Sequence, residues 1–310
     1  MSPEAVIVQQ LLNGLSLGMM YALLALGFTM VYGIIELINF AHFNVFMAAT
    51  FFGLWFLAWL GFNRASGPLT GLRLIAVLLI TFAFTMVVTG VLGVAIERLC
   101  LKPMRGISGT APMITTIGVS LVIQNVILVA SNFANNVPYP QIVPDVRWHY
   151  SGVEVTLKHL LLWSSAIILM FILDFVVRRT WLGKAMRATA QDPDAARMMG
   201  IRIDYIIALT FFIGSALAGA AALIFGFYYG LTSYIVGYLA GLRAFTAAVL
   251  GGIGNIPGAV VGGLVIGLIE ALGGQVFGVA WSDVVIFSIL IVVMVFKPSG
   301  LLGQQIPQKA

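Results

Sequence analysis

Charge is scarce in this chain: Asp, Glu, Lys and Arg together make up 9% of its 310 residues, against roughly a quarter in an ordinary soluble domain. So low a proportion excludes a water-soluble globular protein, and the 61% of hydrophobic residues points to a bilayer. Cysteine is nearly absent. The lone Cys100, close to Arg98 and Lys102, excludes an internal disulfide and a multi-cysteine metal site. The histidines His42, His149 and His159 are scattered and suggest no catalytic constellation, so an enzyme is not expected, nor any metal or cofactor. No Gly-x-x-x-x-Gly-Lys-Ser/Thr loop occurs, which excludes a P-loop to cradle nucleotide phosphates. The stretch "LGKAM" lacks the upstream glycine and the hydroxyl residue, and "GGIGNIPG" at 251–258 reads as a breaker between apolar runs rather than a dinucleotide fingerprint. The amino-terminal "MSPEAV" has no basic residue, unlike a secretory signal peptide, so the first apolar run is expected to be a retained helix.

Long apolar runs are what the sequence does contain. Uncharged stretches cover 14–35, 45–62, 74–96, 111–134 and 205–242, and about 18 apolar residues already suffice for a membrane helix. The expected fold is all-α: a polytopic membrane helix bundle of about 8–9 transmembrane segments, forming a single membrane-spanning domain over 1–310. The run from 205 to 242 has 38 residues, about 57 Å as a helix against a hydrocarbon core of about 30 Å. It must break, and Tyr228-Tyr229-Gly230 is the expected place. The following segment, 237–254, is Gly-rich and contains Arg243, so a broken or re-entrant helix is expected there.

Lys and Arg gather at 98–105, 178–202 and 297–310, which together hold 11 of the 16. The positive-inside rule makes these the cytoplasmic loops. Two spans, 111–134 and 160–177, separate the first two loops, so the count is even and the stretch 132–158 becomes an ordered extracytoplasmic loop. Counting outward in both directions predicts an outer amino terminus and an inner carboxyl terminus, marked by Lys297 and Lys309. The basic excess therefore reports topology and contact with membrane lipid, and no nucleic-acid partner is expected.

Polar residues inside the apolar runs are costly and usually face protein or water. They are Glu36, Asn39, His42 and Asn44, then Gln124, Asn125, Arg243 and Glu270. On one helix, Glu36, Asn39 and His42 would recur at i, i+3 and i+6 on one side. Two readings stand: capping and interhelical hydrogen bonding, or the lining of a solute pathway. Small-residue spacings in 214–222 and 258–267 allow close helix packing, either within the chain or against a second membrane subunit.

The only strongly charged run is "RRTWLGKAMRATAQDPDAARMMGI", residues 178–201. Asp192-Pro193 is a helix start, because Asp caps free amides and Pro suits the first helical position. Gly200 is a natural stop. The spacing predicts a seven-residue helix over 193–199 after another short helical stretch at 184–190. So short a helix is marginal unless something packs on it, and Met198 and Met199 offer adaptable apolar contacts. A docking helix for a cytosolic partner is expected in preference to one lying flat on lipid.

This run resembles the signature loop of the branched-chain amino-acid (LIV-type) permeases of ATP-binding-cassette importers. The stretches "NGLSLGMMYALLALGFTMVYGIIELINFAH" and "AGLRAFTAAVLGGIGNIPGAVVGGLVIGLIEAL" are also similar to that family. The resemblance implies a permease subunit for branched-chain or other neutral amino acids in a bacterial cytoplasmic membrane. It implies as partners a second homologous permease, two ATP-binding subunits and an extracytoplasmic solute-binding protein. The ATPase-coupling residues are matched by Gly183, Lys184, Arg187, Ala188, Asp192, Pro193, Ala196, Met198, Gly200 and Ile201. The expected translocation path includes Glu36, Asn39, His42 and Asn44, although Phe43 and Asn44 stand where the family commonly has glycine and an acidic residue. Two other readings fit the composition: a permease for urea or short amides, and an autonomous channel or secondary transporter.

Overall fold

The computed structural model describes residues 3–107, 110–150 and 152–303. Among these, eleven α-helices dominate: α1 (Pro3–Ile35), α2 (Ala41–Trp59), α3 (Gly71–Ile96), α4 (Ala111–Ala130), α5 (Leu157–Arg179), α6 (Trp181–Gln191), α7 (Pro193–Met198), α8 (Ile203–Tyr229), α9 (Val236–Gly251), α10 (Ile256–Phe277) and α11 (Ser282–Phe296). Eight helical segments are long and apolar enough to cross a membrane. The chain is thus the expected polytopic bundle. At sixteen residues, α9 would extend about 24 Å, short of a full crossing. Of the two span counts expected, the structure matches eight helices of spanning length with a shortened segment.

The break in the long apolar run falls where expected. α8 ends at Tyr229, and Gly230 takes φ +69°, a left-handed conformation that glycine adopts without a Cβ clash. Two small sheets form beyond the helices. Strands β2 (Arg147–Tyr150) and β3 (Val153–Thr156) make a hairpin, whereas β1 (Val137–Pro138) pairs antiparallel with β4 (Leu231–Thr232). In the hairpin Arg147 pairs with both Asp145 and Glu154, and its hydrogen bond holds the Asp145 carboxyl below the usual carboxylate range.

The stretch 132–158 is more than a surface loop. Tyr139 is wedged inward with 2% of its surface exposed, and its hydroxyl donates to the Thr50 carbonyl at 2.6 Å. The ring lies so close to α8 that a methyl at Gly226 would sit 2.5 Å from it.

Helix ends sort into two groups. Gln9 of α1 exchanges hydrogen bonds with the Glu154 backbone of the hairpin, at 3.1 and 2.7 Å, and Gln10 bonds Gln275 of α10. At the opposite end, Gly33, Gly254 and Ile256 share a cavity of about 90 Å³ with Val177, Met186 and Arg187. Leu301 N donates to the Leu250 carbonyl at 2.7 Å, which brings Lys297 to this end too. The start of α1 and Lys297 thus lie at opposite ends of the bundle; Lys309 lies outside the described residues.

Helices α1, α2 and α8 form the buried centre, while α4, α5 and α11 face outward. Glycine seams set the packing. A methyl at Gly18 would lie 2.7 Å from Leu264 Cα, and one at Gly267 would lie 2.1 Å from Gly18 N, so α1 and α10 touch backbone to backbone. A methyl at Gly27 would lie 2.4 Å from the Gly214 carbonyl, which closes α1 on α8. Both small-residue stretches therefore serve packing within the chain.

Candidate functional site

The charged run folds into α6 and α7, and each signal within it has a physical counterpart. Thr180 begins α6, its hydroxyl accepting from Gly183 N at 3.3 Å. Gly183 itself sits where the helix turns back on α5, because a Cβ there would lie 2.0 Å from the Val177 carbonyl. Asp192 caps α7, its Oδ1 accepting from Asp194 N and Ala195 N at 3.0 and 2.9 Å. Such a cap stabilises a helix by about 0.5–2 kcal/mol. Gly200, at φ +83°, ends the turn: its amide donates to Arg197 and that of Ile201 donates to Ala196. The lengths differ from those read in the sequence. α6 runs over eleven residues, Trp181–Gln191, since Thr180 caps it earlier. α7 has six, Pro193–Met198, with Met199 already outside as the C-cap.

Burial divides the ten coupling candidates. Gly183 and Ala196 point inward, and Ile201 packs against the main core. Lys184, Asp192, Pro193, Met198 and Gly200 are exposed, and Ala188 is half-buried. Arg187 is exposed as well, yet its guanidinium donates to the Val177 carbonyl, which ties α6 to the end of α5. Met198 and Met199 are 83% and 82% exposed. Beside this loop, Trp181, Gly200, Arg202, Tyr205 and Ile206 frame a surface cavity of about 270 Å³. The exposed surface thus sets Trp181, Met198 and Met199 among the charged Lys184, Arg187 and Asp192.

The basic loop at 98–105, read in the sequence only as a topological marker, is joined to this base. Lys102 pairs with Asp204 at 2.7 Å, while Arg105 bridges Asp204 and the buried Glu97. Glu97 lies in a π-helical turn over Glu97–Leu101. Thus the end of α3 is tied to the start of α8, shortly after α7.

The four path candidates do not share one helical side. α1 ends at Ile35, Glu36 takes φ +52°, and α2 restarts at Ala41. The positive φ takes the chain out of the helix, so the expected i, i+3, i+6 register is broken. Glu36 is exposed, whereas Asn39, His42 and Asn44 are buried. Asn39 Oδ1 accepts from Ala41 N at 3.1 Å, bracing the turn that leads into α2. Asn44 Nδ2 donates to the Ser120 carbonyl and hydroxyl at 2.9 and 2.8 Å, fastening α2 to α4. A carboxylate could not make these donations, which accounts for Asn at this position. His42 bonds the Leu24 backbone, while its Nε2 has no partner among the described residues. It lies against Gly27, where a methyl would come within 2.9 Å of Nε2.

Sequence reading singled out Arg243 and Glu270 without joining them. In the structure Arg243 of α9 binds Glu270 of α10 at 2.5 Å and Asp283 of α11 at 2.8 Å, and Tyr21 of α1 donates to Glu270 at 2.7 Å. The available signal was charge inside apolar runs; Asp283, at the margin of its run, gave none.

Eight apolar helices of spanning length and a shortened α9 together define a multi-pass membrane protein. Comparison with known proteins gives the family. One described as "branched-chain amino acid transport system / permease component" matches residues 10–294. The chain is 41% identical over 304 residues to the high-affinity branched-chain amino acid transport system permease protein BraD of Pseudomonas aeruginosa, covering 96% of each. It is 38% identical over 302 residues to the LivH permease protein of Escherichia coli K12, again covering 96% of each. The chain belongs to this permease family.

Proposed function

We propose that this chain is the membrane-spanning subunit of an ATP-binding-cassette importer that moves branched-chain or other neutral amino acids across the bacterial cytoplasmic membrane. One of two ATP-binding subunits docks on α6 and α7, a second homologous permease completes the membrane part, and an extracytoplasmic solute-binding protein delivers solute at the hairpin end. The residues contacting the ATPase are Lys184, Ala188, Pro193, Met198 and Gly200, with Gly183, Arg187, Asp192, Ala196 and Ile201 holding the loop in shape. At the same end of the bundle, His42 adjoins the solute path, while Asn39 and Asn44 hold its wall and Glu36 stands at its mouth.

One observation carries this reading: Met198, the last residue of a capped six-residue helix, and Met199, its C-cap, are both more than 80% exposed. So short a helix needs packing or caps to persist, and a rigid contact is what a cytosolic motor requires to move a membrane path. Replacing Met198 by Asp puts a charge into that contact. The variant should assemble its membrane helices but lose ATPase on co-purification and lose ATP-driven leucine uptake in vesicles carrying the full complex. Full ATPase occupancy with normal uptake would overturn the assignment. Labelled leucine and urea, offered in parallel to the unmodified complex, test the solute: uptake of urea alone would reject the amino-acid reading.

A further inference from the structure

Hydrocarbon supplies no hydrogen-bond partner, so non-helical backbone at membrane depth is tolerated only where protein covers it or water reaches it. The connection between α8 and α9, residues 230–235, is such a segment: a two-residue strand followed by a turn. A hydrogen bond fixes its depth. Thr232 Oγ1 lies 2.5 Å from Thr50 Oγ1, and Thr50 is the tenth of the nineteen residues of α2. The connection therefore lies halfway along a membrane span rather than at its end.

This chain does not seal it. Leu231 and Ile235 are 43% and 46% exposed, and the adjoining Tyr229 and Tyr238 are 42% and 62% exposed. Within the turn, Ser233 Oγ takes over from the helical ladder, accepting from Ile235 N and donating to Asn135 Oδ1 at 2.9 Å. Charge lies alongside, since Tyr229 is within electrostatic reach of Glu270 and Arg243. The Asp283 side chain, whose Oδ1 pairs with Arg243, is 38% exposed. A charged side chain turned toward lipid is costly, and exposed tyrosines, a turn and a part-exposed carboxylate all suit water.

We propose that residues 229–239 line the water-filled half of the solute path that opens at the hairpin end of the bundle. The path then reaches mid-membrane without crossing lipid, and the shortness of α9 is what opens it. That this water carries solute rests on the importer reading above; that water reaches these residues does not.

The test is cysteine accessibility in the assembled complex, in a Cys100→Ser background and in right-side-out vesicles. Ile235→Cys and Tyr238→Cys are compared with Phe171→Cys, which is 72% exposed on the outward-facing α5. Because the thiolate is the reactive form and is suppressed in an apolar medium, a membrane-impermeant methanethiosulfonate should modify the first two about tenfold or more faster than the third. Leu239→Cys, at a position 46% exposed, serves if either variant fails to assemble. Reaction as slow as at Phe171→Cys would overturn the proposal, and so would efficient cross-linking of these positions to the second permease without reagent access. Labelling needs neither ATP nor solute, so a failure of the importer reading would appear separately, as absent uptake.

Discussion

Asn44 shows how much one side-chain atom decides. Its amide donates twice to Ser120 across the α2–α4 contact, and both side chains are buried. Asn44→Asp removes the donor, leaves a buried carbonyl without this partner and adds a charge. The expected cost is about 1–3 kcal/mol or more, read as a lower thermal midpoint of the purified complex. Ser120→Ala keeps the carbonyl and should cost far less. If both variants melted alike, the hydroxyl rather than the carbonyl would be the important partner. Gly183 is the second such residue. With the Val177 carbonyl 2.0 Å from any added Cβ, Gly183→Val should displace α6 and abolish ATPase co-purification. Lys184→Ala, at an exposed neighbouring position, should leave the fold unchanged.

Among the elements, the α1–α10 seam is the most demanding contact. Gly18→Ala brings a methyl within 2.7 Å of backbone rather than of a flexible side chain, and overpacking of this kind costs about 1–3 kcal/mol. Gly118 of α4 has nothing within 4 Å of its added Cβ, so Gly118→Ala should leave the melting temperature unchanged or slightly raised. Equal thermal shifts for the two would refute the seam's importance. The cap of α7 is tested by chemistry: Asp192→Asn keeps an acceptor and should retain ATPase, whereas Asp192→Ala should lose most of it.

These elements also show what was legible in sequence. The spans, the break after Tyr229, the Asp192-Pro193 start and the Gly200 stop are local signals of apolar length, ring constraint and φ preference. The kink at Glu36 was not legible, because its positive φ replaces the helical register that the surrounding apolar residues favour. The wedge of Tyr139 and the Arg243 trio were hidden for another reason: each joins residues far apart in the chain. Family resemblance reached the docking loop as a whole but could not say that Gly183 and Arg187 face the chain's own Val177.

At the scale of the molecule, the two groups of helix ends predict opposite access. Tyr150 is 83% exposed in the hairpin and Met199 is 82% exposed after α7. In a Cys100→Ser background, Tyr150→Cys should react with an impermeant reagent in right-side-out vesicles, and Met199→Cys only after the vesicles are opened. Equal labelling in sealed vesicles would break the parity of spans.

The glycine seam also has a consequence for how the chain is made. Gly18 leaves the ribosome early and its contact at Gly267 comes 249 residues later, roughly 12–50 s afterwards at 5–20 residues per second. Through that interval α1 lies in the bilayer with its narrowest groove empty. The contact of Gly27 with Gly214 becomes possible sooner, so α8 docks on α1 first and the bundle closes on the side of α10 last. A nascent chain arrested before residue 263 would therefore keep that groove open, accessible to any other glycine-rich helix nearby.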